Sequence, residues 1–97
     1  MEINYKSLKF DADQKLLDFA AKKVSKLERF NDQIISLDVI FSLQERPENK
    51  SVKLQANLPK GPIIIERNGS SFQDAIDAAV DAMKEKIVRD KEKRSEK

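Results

Sequence analysis

The side chains able to do chemistry in this 97-residue sequence are amines, guanidinium groups, hydroxyls and carboxylates, because it contains no histidine and no cysteine. That removes the commonest general base, the thiolate nucleophile and the usual nitrogen and sulfur metal ligands. Asp74, Asp77 and Asp81 recur at helical spacings of three and four and could in principle hold a divalent cation. Carboxylates in the first half of a helix are more simply explained by the positive end of its dipole. Asp11 and Asp13 likewise suit helix capping better than a catalytic pair. Gly61 and Gly69 are isolated turn glycines without a phosphate-loop or dinucleotide pattern around them. Phe19, Phe41 and Phe72 lie in or beside apolar stripes and read as core. No catalytic residue, metal ligand or cofactor is expected, and the protein is not expected to be an enzyme.

The basic residues are the informative ones, and the net charge of +2 hides them. Residues 15–30 hold five cations (Lys15, Lys22, Lys23, Lys26, Arg29) against Asp18 and Glu28, a net of +3. Residues 84–97 hold seven (Lys84, Lys86, Arg89, Lys91, Lys93, Arg94, Lys97) against four acids, again +3, which leaves −4 for everything else. Lys15, Lys22, Lys26 and Arg29 are spaced by seven, four and three, so a helix would align them; Lys86, Arg89 and Lys93 repeat the pattern. Two such helices side by side would offer a groove or ridge of fixed positive charge to a phosphate backbone. Charge alone leaves two readings open, a polyanion-binding surface and an ordinary lysine-rich solvent face, since Glu85, Asp90 and Glu92 interleave with the second set.

Placing these residues requires the elements beneath them. Residues 3–9 alternate weakly as a strand whose phase slips near Leu8 and Phe10. Asp11 or Asp13 then caps a helix whose apolar stripe is Leu16, Ala20, Val24 and Leu27, ending around Phe30 and Asn31. From Ile34 the period changes to two: Ile35, Leu37, Val39, Phe41 and Leu43 face inward, and Ser36, Asp38 and Ser42 outward. Turn residues at 45–49 precede a second alternating run, Val52, Leu54, Ala56 and Leu58, set against Ser51, Lys53, Gln55 and Asn57. A third strand, residues 62–67, has Ile63 and Ile65 inward and Ile64 outward. Ser70 or Ser71 caps a last helix with the stripe Phe72, Ile76, Val80, Met83 and Ile87. The fold class is therefore α+β, in the order β-α-β-β-β-α. One four-stranded sheet is expected to carry both helices on one face, with the first strand parallel to a neighbour and the rest an antiparallel meander.

One domain, residues 1–90, accounts for this length. Residues 91–97 have no apolar side chain and are expected to form a charged tail that frays. The start of the sequence lacks the apolar region of a secretion signal and no apolar run approaches a bilayer span, so a cytoplasmic location is expected, with no membrane partner. The outward strand positions named above hold no aromatic to stack on a base, which argues against a single-strand reader and for recognition by shape and phosphate.

Two segments carry a family resemblance. Phe19-Ala20-Ala21-Lys22-Lys23-Val24-Ser25-Lys26-Leu27-Glu28-Arg29-Phe30 resembles the lysine-bearing helix of the short ribosome hibernation promoting factors and ribosome-associated inhibitors, also called sigma-54 modulation proteins. Ser71-Phe72-Gln73-Asp74-Ala75-Ile76-Asp77, followed by Lys84, Lys86, Arg89, Lys91 and Lys93, is similar to that family's aromatic-x-x-Ala-Ile-Asp opening and basic ending. The resemblance covers nearly the whole chain and implies a double-stranded-RNA-binding-like fold. It also implies a partner, the small ribosomal subunit and its ribosomal RNA. The site would be the channel of messenger RNA and transfer RNA anticodon ends, where binding blocks translation and preserves idle ribosomes under stress. Carried over by position, Lys22, Lys23, Lys26, Arg29, Lys84, Lys86, Arg89, Lys91 and Lys93 are the RNA-contact candidates. With its last residue at Lys97, the sequence is expected to correspond to the short form, without the C-terminal domain of long members, and a second hibernation factor stays open as a partner. No small-molecule substrate is implied. The alternatives are a general double-stranded-RNA binder and a protein-interaction module that modulates transcription.

Overall fold

The chain runs β1 (Glu2–Leu8), α1 (Gln14–Val24), a 3₁₀ turn (Ser25–Arg29), β2 (Ser36–Leu43), β3 (Lys50–Leu58), β4 (Gly61–Gly69) and α2 (Phe72–Ser95). The computed structural model describes residues 2–8, 10–44 and 49–95, and side chains as far as residue 89. Lys9, at the end of the expected first strand, and the expected turn at residues 45–48 fall outside the described residues.

Alternation fixes the sheet. Its strand order is β1-β2-β3-β4, with β1 parallel to β2 and the other pairs antiparallel, so the expected mixed sheet is the one observed. In the β2–β3 register Leu37 faces Ala56, Val39 faces Leu54 and Phe41 faces Val52, and all six side chains are fully buried. A slip of one residue would bring Ser36, Asp38 and Ser42 to the core face, forfeiting about 1.5–3 kcal/mol for each large side chain expelled. The apolar stripes of both helices, Leu16, Ala20 and Val24 on α1 and Ile76, Ala79, Met83 and Ile87 on α2, complete the same core. Phe72 ties the start of α2 to both layers, stacked on Phe10 at 4.7 Å and edge-on to Phe41 at 5.7 Å.

Local chemistry sets the helix starts. Asp13, not Asp11, caps α1 by accepting from the Leu16 amide at 2.8 Å; Ser71, not Ser70, does so for α2, accepting from the Asp74 amide at 3.1 Å. Gly69 permits the abrupt passage from β4 into α2. A Cβ there would lie 3.1 Å from the Ala75 nitrogen and the Ser71 oxygen.

Three expectations need correction. The first helix does not continue to Phe30 as an α-helix but tightens after Val24 into the 3₁₀ turn. At three residues per turn, Val24, Leu27 and Phe30 eclipse one another, which points two fully buried residues and a partly buried ring at the core. An α-helix would spread them. Ile35 is 63% exposed, and Ile34, at 5%, takes the buried place; Ile35 precedes the first residue of β2, where the strand period does not yet govern. Ser51, on the outer phase of β3, is buried rather than exposed, and its hydroxyl has no hydrogen-bond partner among the described residues.

Candidate nucleic-acid interface

The two helices adjoin along a seam, and three contacts define it. The Lys23 ammonium lies 3.4 Å from an Asp77 carboxylate oxygen. The Lys84 ammonium sits over the Phe30 ring, 4.8 Å from its centroid. Between these points Lys23, Lys26, Asp77, Val80 and Asp81 line an open cleft of about 360 Å³. Lys23 also lies 5.4 Å from the centre of the Phe19 ring, so its position is held from both sides. Both cation–ring pairs are partly solvated, where such contacts contribute about 0.5–1 kcal/mol.

Helical geometry then sorts the remaining basic residues. Lys15 and Lys22, seven residues apart on α1, lie almost in line, and both are exposed. The tightening after Val24 makes Lys26 and Arg29, three apart, eclipse each other on the seam side of the 3₁₀ turn; both are exposed. On α2, Asp77, Asp81, Lys84 and Val88 form one line by their spacings of four, three and four. Lys86 and Arg89 lie about 200° and about 140° around the helix from Lys84, at about 100° per residue. They occupy the flank of α2 away from α1. Arg89 is loosely paired with Glu85 at 4.0 Å, with both side chains about three-quarters exposed. Lys91 and Lys93 stand on helical backbone, and their side chains lie outside the described residues.

The groove expected between two basic lines is therefore not what the helices form. Lys23, Lys26 and Lys84 reach the seam, where Lys23 pairs with Asp77, Lys26 lines the cleft with Asp81 and Lys84 covers the Phe30 ring, whereas Lys15 and Lys22 face out from α1 and Lys86 and Arg89 out from α2. The acids at the seam were legible as helix-dipole residues or, less simply, as ligands for a divalent cation. Their alignment with Lys84 was the available signal, and it needed Lys23 opposite to acquire meaning.

The other face of the sheet is largely polar and cross-linked, with Ile64 exposed on it beside Gln55. Asn57 donates to Ser36 Oγ at 2.9 Å and to Asp38 Oδ2 at 3.1 Å, Asn4 donates to Asp38 Oδ1 at 3.1 Å, and Gln55 donates to Asn57 Oδ1 at 2.9 Å. These bonds occupy the side-chain amides of Asn4 and Asn57 and both oxygens of Asp38. On β1, burial first and the charge of Asp18 second push the Tyr5 hydroxyl above its ordinary value of 10.0. Among the described residues no group of three or more His, Cys, Asp or Glu side chains is placed to hold a metal ion, and no helix is long and apolar enough to cross a membrane.

Comparison with known proteins finds relatives along nearly the whole chain. The chain is 24% identical to a ribosome hibernation promoting factor of Azotobacter vinelandii over 97 residues, all of this chain and 89% of the relative. It is 25% identical to the protein of the same name from Pseudomonas putida over 93 residues, 96% of this chain and 89% of that one. Among solved structures, the N-terminal domain of Protein Y from Thermus thermophilus superposes with a TM-score of 0.80 at 26% identity, covering 92% of this chain and 98% of the other. A ribosomal subunit interface protein from Coxiella burnetii, 19% identical, shares the fold with a TM-score of 0.86 over 94% of this chain and 98% of its own. The model of the sigma 54 modulation protein / S30EA ribosomal protein family matches residues 3–95, and the chain belongs to that family.

Proposed function

We propose that this protein binds the small ribosomal subunit in the channel of messenger RNA and transfer RNA, blocking translation and preserving idle ribosomes. The observation that carries this reading is the family match over residues 3–95, with hibernation promoting factors aligned along the whole chain. The exposed cations of α1, the 3₁₀ turn and α2 supply the means, because ribosomal RNA offers a dense array of phosphates and each neutralised phosphate releases condensed counterion. Lys22, Lys26 and Arg29 make the firmer contacts and Lys84, Lys86 and Arg89 add to them; Lys91 and Lys93 extend the contact on the last turns of α2. The sheet with both helices on one face acts as a double-stranded-RNA-binding-like domain over residues 1–90, followed by a charged tail. The protein works in the cytoplasm, without catalysis.

Cosedimentation with small subunits at low and high salt tests the reading. Comigration that weakens steeply with salt is expected, as is displacement by transfer RNA bound in the decoding channel. Equal affinity for an arbitrary RNA duplex and for the subunit would favour a general duplex binder. Subunit binding unaffected by charge reversal at Lys22, Lys26 and Arg89 would favour a protein-interaction module.

A further inference from the structure

From the seam between α1 and α2, which rests on the ribosome-binding reading above, we infer a specificity device: Asp77 and Asp81 split the basic surface into two tracks and keep a phosphate backbone from running along the cleft. The cleft is the natural place for a backbone to lie, being the concave strip between two lysine-bearing helices. It is instead nearly charge-balanced. Asp77 holds the Lys23 ammonium at 3.4 Å, Asp81 lines the cleft beside Lys26, and Lys84 is drawn to the Phe30 ring. Coulomb attraction and repulsion at similar distances offset, so a phosphate entering the cleft gains from one lysine and loses to a neighbouring carboxylate. Phosphates settle on its two rims, along the exposed Lys22, Lys26 and Arg29 on one side and Lys86 and Arg89 on the other.

That division selects among RNAs. A regular duplex presents continuous rows of phosphates at fixed separation and can be gripped by any sufficiently basic ridge, largely without regard to sequence. A folded RNA surface presenting two phosphate tracks on either side of a gap satisfies both helices and leaves the carboxylates in water. Asp81 therefore contributes little to affinity for the correct site and lowers affinity for the wrong one, discrimination by repulsion.

The test compares Asp81→Asn and Asp81→Lys with the unmodified protein, measuring affinity for purified small subunits and for an arbitrary RNA duplex of about 20 base pairs at one salt concentration. Asp81 is exposed, so both variants should fold, and a thermal melt of each confirms it. Asp81→Asn is expected to tighten duplex binding about threefold, and Asp81→Lys about tenfold, with subunit binding changed less than twofold. Affinity for both RNAs rising in equal proportion, or falling, overturns the inference while leaving ribosome binding intact. Tightened duplex binding together with no salt-sensitive binding of any form to subunits would instead overturn the ribosome reading and leave the exclusion of duplex standing.

Discussion

Residues 15–30 and 84–97 carry the same excess of positive charge, five cations against two anions in the first and seven against four in the second. In the first, buried side chains run beneath nearly the whole stretch: Leu16, Ala20, Val24 and Leu27 are each 7% exposed or less. Lys22, Lys26 and Arg29 thus project from backbone that the core immobilises. In the second, the last described buried residue is Ile87, and among the described side chains only those of its first turn stand over the core. Equal charge is therefore not equal preorganisation. A cation on a packed helix loses less freedom on meeting a phosphate than one on a helix held only by its own backbone.

The sharpest way to break this comparison is charge reversal on each side. Replacing Lys22, Lys26 and Arg29 together by Glu exchanges three attractive phosphate contacts for three repulsive ones, at about 1 kcal/mol or more per site. Affinity for small subunits should fall at least about 100-fold. Reversing Lys86 and Arg89 should cost about tenfold. Subunit titrations at one low salt concentration decide it, and a larger loss from the α2 pair would show that preorganisation is not what ranks these residues.

The same contrast holds for stability. Leu27→Ala on the 3₁₀ turn removes a fully buried side chain and should cost about 3 kcal/mol in urea unfolding. Val88→Ala, at a half-buried position one residue past the last described core contact of α2, should cost less than about 1 kcal/mol.

Much of the frame was legible from the residues. The alternation of Leu37, Val39 and Phe41 against Val52, Leu54 and Ala56 named the buried face, because one face of a sheet is dry and a period of two has one phase that suits it. The stripes of both helices were equally plain. What escaped lay where two periods meet or two elements turn toward each other. Ile34 and Ile35 exchanged places because the strand period starts only at Ser36. The 3₁₀ turn was hidden because spacings of three and four both occur in α-helices. The seam was hidden for a stronger reason: a wheel shows that Lys84 and Lys86 point apart, but which of them meets α1 depends on how both stripes settle on the sheet. Lys23 was thus legible as a lysine and not as the partner of Asp77.

Removing residues 91–97 sharpens the comparison from the other end. No described core side chain lies beyond Ile87, so the melting temperature should shift by less than about 2 °C. Lys91 and Lys93, which the ribosome reading makes contacts, are lost, and subunit binding should weaken up to about tenfold with a shallower salt slope, by about 0.7–0.9 per phosphate contact removed. A large drop in melting temperature would mean that the end of α2 is supported by the core after all.

The smallest effect belongs to the bond between the two helices. The Lys23–Asp77 pair is 33% and 50% exposed at its two side chains, and pairs so open to water contribute about 0–1 kcal/mol, less as salt rises. Asp77→Asn should therefore lower unfolding free energy by under about 1 kcal/mol at low salt, and the difference from the unmodified protein should vanish near 1 M salt. Its effect on RNA should be the opposite in sign, because Lys23 loses its carboxylate and becomes available to phosphate. A double-mutant cycle with Lys23→Met separates the two: if the gain in duplex affinity from Asp77→Asn survives in the Lys23→Met background, it comes from removing repulsion; if it disappears, it comes from releasing Lys23.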